Sequence, residues 1–379
     1  MKNFVKLIKQ VYEERYSVVL KKILDEKIPV AYLTLAPTAQ AVETVRNFRD
    51  QGLDITTLFV VNSAPPPLDI DFKIVHLKDA KNVALQSKYV FVWDEIEAAG
   101  ALKYFPNCEV ICLYRGNTDH IYETFMTHLP ELQEVYTSLI DEDSKKTFCG
   151  YWRGCISNQI GKIFYANTPH YICAGFIPER GAVVIDGGAF DGGTATIFTQ
   201  MGYEVYGFEM DRKNYEVARK VGEENNFVVE NFGLGSFKHQ TTYTHMPNPG
   251  ASRLDSKGQL TATITTLDSY VREKNLPRVD FIKLDVEGAE LDVLSGAATT
   301  LVRFKPILAL SAYHKWDDFW TLMNFVKSVR PDYEFAMRQF VISKEDGAYF
   351  FQDGVENFWE AWSLRPALVT FGECVLFAR

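Results

Sequence analysis

Two acidic stretches hold the residues whose types and spacing could do chemistry. The first is Val183-Val184-Ile185-Asp186-Gly187-Gly188-Ala189-Phe190-Asp191-Gly192-Gly193-Thr194. A short apolar run enters a glycine-dense turn flanked by two carboxylates, Asp186 and Asp191, and a helical pattern follows. Gly187 and Gly188, followed by the small Ala189, allow bare backbone to approach a ligand. The second stretch is Phe281-Ile282-Lys283-Leu284-Asp285-Val286-Glu287-Gly288-Ala289-Glu290. Asp285 ends an apolar strand pattern and Glu287 lies just beyond it. In an open α/β sheet the ligand crevice lies outside the carboxyl ends of the strands, so both acids should share one crevice with Asp186.

The ligand class follows from charge. Carboxylates beside the turn would repel a pyrophosphate, whereas they suit a ligand with an ammonium or sulfonium group. Glu209, with Met210 after it, closes the next strand about twenty residues on, where an acid accepts hydrogen bonds from a ribose diol. Asn231 and Phe232 follow the third strand, where an adenine edge and face could be read. S-adenosylmethionine has this combination of groups and no phosphate. Four acids at neighbouring strand ends, Asp186, Glu209, Asp285 and Glu287, are costly unless they meet something cationic. One of them could also act as a general base.

Further candidates surround this crevice. His314 follows the strand predicted at 307–311, and a neutral imidazole there could take a hydroxyl proton. Tyr313 precedes it. Tyr171 lies in the loop 165–180, which delivers the chain to the glycine turn and could cover it. Ser252 and Arg253, with His245, lie in a segment that interrupts the strand–helix alternation, where acceptor contacts are expected; Arg253 could pair with a phosphate or carboxylate. Glu290 reads as a solvated helix residue. Asp285 and Glu287 could give oxygens to a divalent ion, but no third ligand stands out, and no metal is assigned.

The elements that must position these residues come in two series. Strands predicted at 29–34, 53–61, 72–75, 89–92 and 108–113 alternate with helical patterns, which implies a small parallel, Rossmann-like α/β domain over 1–117. Its first strand leads into Leu35-Ala36-Pro37-Thr38-Ala39-Gln40, without a glycine, so a structural or partner-contacting role is expected there rather than a second cofactor site. Residues 1–25 read as one helix. Residues 118–180 read as a helical connector and loop. From 181 to 379 a second series runs, with strands expected at 182–186, 204–209, 227–230, 280–285, 307–311, 333–338 and 373–378, and an added strand at 240–245. Phe358, Trp359 and Trp362 recur near helical spacing, and core packing is their default.

Composition narrows the partners. The net charge of −9 argues against nucleic acid or an anionic membrane surface. No apolar run approaches the ~20 residues of a membrane span. The six cysteines form no CxxC pair, which fits free thiols in a reducing, cytoplasmic setting. The oligomeric state is left open, a homo-oligomer included.

Taken together, Asp186–Thr194, Phe208-Glu209, Thr266-Leu267-Asp268, Ile282–Glu290 with Leu294 and Gly296-Ala297, Tyr313-His314-Lys315 with Asp318, Arg338 and the closing Val375–Arg379 resemble the FkbM family of S-adenosylmethionine-dependent methyltransferases. The resemblance spans residues ~165–379 and is most specific in the Lys283–Glu290 stretch. Gly187 and Gly193 depart from the family's usual pattern. The resemblance implies a class I, Rossmann-like methyltransferase fold with a seven-stranded mixed sheet and a reversed last hairpin. It implies O-methylation, with Asp186, Gly188 and Glu209 holding the cofactor and Asp285 and Glu287 near the methyl group and acceptor. The acceptor expected is a small molecule or saccharide: a sugar, a nucleotide-sugar or another natural-product hydroxyl. The rival expectations are an N-methyltransferase and a non-catalytic partner protein.

Overall fold

The structure is a computed structural model that describes residues 2–35, 38–60, 70–82, 87–244, 253–254, 257–343, 367–368 and 370–379. His245, Ser252, Phe358, Trp359 and Trp362 lie outside the described residues. The chain divides into two compact units. One comprises Met1–Leu129, Lys146–Ala166 and Gln339–Phe371; the other comprises Pro130–Lys145, Asn167–Arg338 and Gly372–Arg379. Each unit is thus assembled from separate stretches of chain, and the connector expected over 118–180 is shared out between them.

The first unit is built on five parallel strands, β1 (Val30–Thr34), β2 (Ile55–Val60), β3 (Lys73–His76), β4 (Tyr89–Val92) and β5 (Glu109–Cys112), in the order β3-β2-β1-β4-β5. β1 is buried throughout, as expected of a central parallel strand covered by helices. Val42 and Val45 of helix Thr38–Asp50 pack with Val30, Ile55, Leu58 and Phe91 in its core. The helix expected over 1–25 is two, Lys2–Glu14 and Tyr16–Asp25, because Arg15 is extended at φ −57°, ψ 145°. At the switch point between β1 and β4 a protein carboxylate fills the place of an anion. Glu97 accepts from Thr34 Oγ1 at 2.7 Å, from Leu35 N at 2.7 Å and from Trp93 N at 2.6 Å. Burial lifts its pKa to about 7. The strand-end donors that would greet a phosphate are already engaged.

The second unit holds β6 (Val183–Gly187), β7 (Glu204–Phe208), β8 (Val228–Glu230), β9 (Gly233–Leu234), β10 (His239–Thr244), β11 (Arg253–Leu254), β12 (Leu260–Thr265), β13 (Phe281–Leu284), β14 (Ile307–Ser311) and β15, which starts at Phe335 and runs to Gln339. The chain then contributes β16 (Ile342–Ser343) and β17 (Ala367–Leu368) to the first unit and returns as β18 (Cys374–Ala378). Seven strands form the main sheet in the order β15-β18-β14-β13-β6-β7-β8. β18 runs antiparallel to β14, giving a mixed sheet with a reversed last strand. The predicted interruption is a second small sheet, β11-β10-β12-β9, in which β10 occupies most of the expected added strand.

The main sheet reverses direction of winding between β6 and β13, and this places the two acidic stretches side by side. Asp186 is in register with Lys283, and Gly187 with Leu284. Both strands are wholly buried. Helix Arg212–Asn225 starts directly after β7 because Asp211 caps it, accepting from the N–H groups of Lys213 and Asn214. Asp268, from helix Leu267–Glu273, accepts from Thr299 N and Thr300 N at the start of helix Ala298–Phe304, whose own N-cap Ala297 has no polar side chain to do so. Among the described residues no helix is long and apolar enough to cross a membrane, and none of the six cysteines is in a disulfide.

Candidate active site

The glycine turn is shaped first by its protein neighbours. Gly188 has φ +76°, and a Cβ on it would come within 1.8 Å of the Asp285 carbonyl oxygen. A Cβ on Gly187 would meet Leu284 at 2.8 Å. These glycines therefore let the ends of β6 and β13 approach each other, whereas the residue types alone suggested approach of a ligand. The turn's N–H groups are also taken. Gly188 and Ala189 both donate to the Phe208 carbonyl, Gly192 donates to Ala189, Gly193 to Asp191 Oδ1, and Phe190 to Glu209 Oε2 at 3.0 Å. A turn with its donors engaged offers no cradle for a phosphate, which agrees with the electrostatic argument from Asp186 and Asp191.

Behind the turn lies a buried ion pair that sequence reasoning missed. Lys283 Nζ sits 2.9 Å from Asp186 Oδ1 and donates to the carbonyls of Gly188 at 2.6 Å and Gly187 at 3.2 Å. Both side chains are almost entirely buried. Burial works against the ammonium, but Asp186 and Asp285 outweigh it and hold the Lys283 pKa above its ordinary value. Among the described residues Asp186 Oδ2 is buried without a hydrogen-bond partner. The available signal was a lysine inside an otherwise apolar strand pattern, which calls for a partner.

Asp285 is the meeting point of three elements. Tyr171 donates its hydroxyl to Asp285 Oδ2 at 2.7 Å, and Tyr313 donates to Oδ1 at 3.3 Å. His314 Nε2 lies 3.4 Å from the same Oδ1. Burial pushes the Asp285 pKa up, but Lys283 first, then His314 and the Tyr171 hydrogen bond, bring it below its ordinary value, so Asp285 is a carboxylate at neutral pH. Tyr171, whose loop is expected from the sequence to cover the glycine turn, is only 2% exposed and orients Asp285. Its ring also lies 5.4 Å from Lys283 Nζ.

His314 is not the neutral imidazole expected from the sequence. Its Nδ1 lies 2.9 Å from Glu290 Oε1, while Nε2 faces Asp285 and, at 3.8 Å, Glu287. Burial disfavours the cation, but the Glu290 hydrogen bond and the three carboxylates together raise the pKa to about 9. The ring therefore rests as an imidazolium and has no lone pair to offer as a base. Asp285, Glu290 and His314 have ligand-type atoms within 4.8 Å of one another. However, the acids divide between the two ring nitrogens, and a cation binds one nitrogen lone pair; Nδ1 is hydrogen-bonded to Glu290 while Nε2 faces Asp285 and Glu287 at ion-pair distance without a hydrogen bond among the described residues, an arrangement that suits a charged ring. Because the folded pKa lies above the ordinary 6.5, protonation of His314 stabilises the folded chain fully below pH ~6.5, and that stability is lost as pH rises through about 9. Melting temperature is accordingly expected to fall between pH 6.5 and 9, and His314→Gln should flatten that fall; an equal slope in both proteins would contradict it.

Glu209 closes β7 at 7% exposure. It accepts from Asp211 N at 2.7 Å as well as from Phe190 N, and burial raises its pKa to about 7. Asn231 donates through Nδ2 to the carbonyls of Glu209 at 2.9 Å and Met210 at 3.3 Å, so its amide braces the loop after β7. Phe232 follows β8 half-buried. Arg253 pairs through its backbone with Thr244 in β11; Ser252 and the Arg253 side chain are outside the described residues.

Residues 186–347 match the family described as "Methyltransferase FkbM domain". The chain carries an FkbM methyltransferase domain. The match supports a methyltransferase activity for those residues. The crystal structure of the methyltransferase FkbM from Methylobacillus flagellatus KT is similar over 100% of this chain and 98% of that one, with 15% identity and a TM-score of 0.60. At that identity the likeness speaks for the fold, and it extends across both units. An rRNA methylase from Streptococcus thermophilus matches 53% of this chain and 88% of its own at 12% identity and TM-score 0.29. A precorrin-6y C5,15-methyltransferase from Geobacter metallireducens GS-15 matches 57% and 92% at 10% identity and 0.32. Similarities of that size carry no argument. No curated protein matches the sequence. In the FkbM domain, Asp186, Glu209 and Asp285 end or follow neighbouring strands β6, β7 and β13.

Proposed function

We propose that the FkbM domain methylates a hydroxyl oxygen of a small-molecule or saccharide acceptor, a sugar, nucleotide-sugar or other natural-product alcohol. The observation that carries this reading is the ionised Asp285 at the end of β13, whose Oδ1, among the described residues, has long contacts, 3.3 Å to Tyr313 and 3.4 Å to His314. An acceptor hydroxyl could donate to that oxygen, and catalytic hydrogen bonds are often loose before substrate arrives.

The residues fit S-adenosylmethionine. Acids (Asp186, Asp191, Glu209, Asp285, Glu287, and Glu290 against His314) outnumber the cations Lys283 and His314 around β6 and β13, and a buried Asp186 oxygen has no hydrogen-bond partner among the described residues. This excess of negative charge suits a sulfonium and an ammonium group. When bound, the cofactor supplies an electrophilic methyl group. Glu209 would accept from the ribose diol, with Met210, Asn231 and Phe232 beside the adenine, and Asp186, Gly187, Gly188, Ala189 and Asp191 beside the remaining part. Asp285 would hold the acceptor hydroxyl and take up its proton as the new bond forms, with Glu287 at the rim and Tyr313 on the acceptor side. Tyr171 and His314 fix the direction in which Asp285 points. Positioning supplies much of the rate in such a site.

Two measurements test the reading. Calorimetric titration should show binding of S-adenosylmethionine and of its demethylated product. Glu209→Ala should weaken that binding about 10- to 100-fold, the range expected for losing hydrogen bonds to a charged group. Incubation of cell extracts with methyl-labelled cofactor should then place label on an oxygen; label on nitrogen would establish N-methylation instead, and absence of cofactor binding would overturn the enzymatic reading.

A further inference from the structure

We propose that Glu290 is a positioning residue for methyl transfer, a buried carboxylate that clamps the turn after β13 to His314 and holds the ring against Asp285. This rests on the reading of Asp285 as the group that receives the hydroxyl. The sequence pattern places Glu290 on a solvated helix face. In the structure it is fully buried at the start of helix Glu290–Ser295.

Its Oε1 gathers three donors from two separate loops. Val286 N donates at 2.9 Å, Gly288 N at 3.5 Å, and His314 Nδ1 at 2.9 Å. The turn it holds is one that a chain does not adopt freely, since Glu287 has φ +55° and Gly288 φ +95°. That turn directly follows Asp285 and carries Glu287, so the same carboxylate fixes both acids relative to the ring. Among the described residues Glu290 Oε2 is buried with no hydrogen-bond partner. A buried carboxylate with an unsatisfied oxygen lowers stability unless something offsets it. Here the offset is the ion pair with His314, which turns Nε2 toward Asp285 at 3.4 Å and Glu287 at 3.8 Å.

The groups that bear on the ring come from every neighbouring element. Asp285 and Glu287 lie beyond β13, Glu290 begins the next helix, and Asp318 begins helix Asp318–Val329. Tyr313 stands beside it with ring centroids 4.3 Å apart, and Lys315 follows with its ammonium on the Gly288 carbonyl. Lys283 and Tyr171 act on it through Asp285. With the acids concentrated on both edges of the ring, removing the Glu290 charge should release the proton earlier.

The test compares wild type with Glu290→Gln and Glu290→Asp. In cofactor-free protein, nuclear magnetic resonance of labelled histidine, with the His314 signal assigned by its loss in His314→Gln, should show a ring doubly protonated through neutral pH. Glu290→Gln should lower its titration by one pH unit or more, and Glu290→Asp should restore most of it. In methyl transfer, the alkaline limb of kcat should move down by the same interval in Glu290→Gln, about a tenfold loss per unit on that limb, with KM for the cofactor changed less than about threefold. A wild-type His314 that titrates near or below 6.5 overturns the proposal even if Glu290→Gln does not fold. So does an unmoved titration in Glu290→Gln, a uniform loss of kcat with an unmoved limb, or a kcat that rises as His314 loses its proton. If wild type transfers no methyl group, the functional reading fails while the resonance titration still decides whether Glu290 holds the imidazolium.

Discussion

Asp285→Asn is expected to lower kcat for methyl transfer about 1,000-fold, within the range of about 10²–10⁴ for removal of a positioned general base. The substitution preserves shape, and the amide oxygen can still accept from Tyr171. What disappears is the negative charge that Lys283 and His314 sustain and the acceptor for the substrate proton. Cofactor affinity should change less than about tenfold, because Glu209 and the glycine turn remain, and far-ultraviolet circular dichroism should be unchanged. Single-turnover kinetics with labelled methyl donor would check this. A kcat within about threefold of wild type would remove Asp285 from the proton's path and move attention to Glu287.

Lys283→Met should produce the largest loss of stability among the site residues. Lys283 is 2% exposed and bonds to Asp186, Gly187 and Gly188. Its removal leaves a fully buried carboxylate without its counter-charge, a change that costs about 3–5 kcal/mol in comparable pairs. Methionine fills most of the volume, so the loss comes from charge more than from a cavity. The double variant Lys283→Met with Asp186→Asn should be more stable than the single one, since it buries no unpaired charge. Denaturant unfolding of the three proteins decides this. A double variant no more stable than Lys283→Met would mean that the two carbonyl contacts, rather than the ion pair, are what Lys283 supplies.

Much of the second unit is legible in the sequence because its signals are local. Apolar runs of strand length alternate with helical patterns, and a parallel sheet follows because each helix serves as the crossover between strands. Asp186, Glu209 and Asp285 can be grouped from their places at the ends of predicted strands, since strand ends in an open α/β sheet gather at one edge. The ligand class can be narrowed too, because the sign of the charge beside a glycine turn is written in the residue types.

The tertiary structure decided what depends on residues far apart in the chain. Glu290 looks solvated on its own helix and is buried by what packs over it. The register of β6 against β13 pairs Asp186 with Lys283 and makes Gly188 obligatory through the Asp285 carbonyl. Tyr171 reaches Asp285 across 114 positions of sequence. His314 has an ordinary imidazole; three carboxylates from the β13–helix turn make it a cation. The return of Gln339–Phe371 to the first unit likewise leaves no local mark. Composition and periodicity specify elements and the edge where they converge, whereas burial, pairing and protonation arise only when separate elements come within bonding distance.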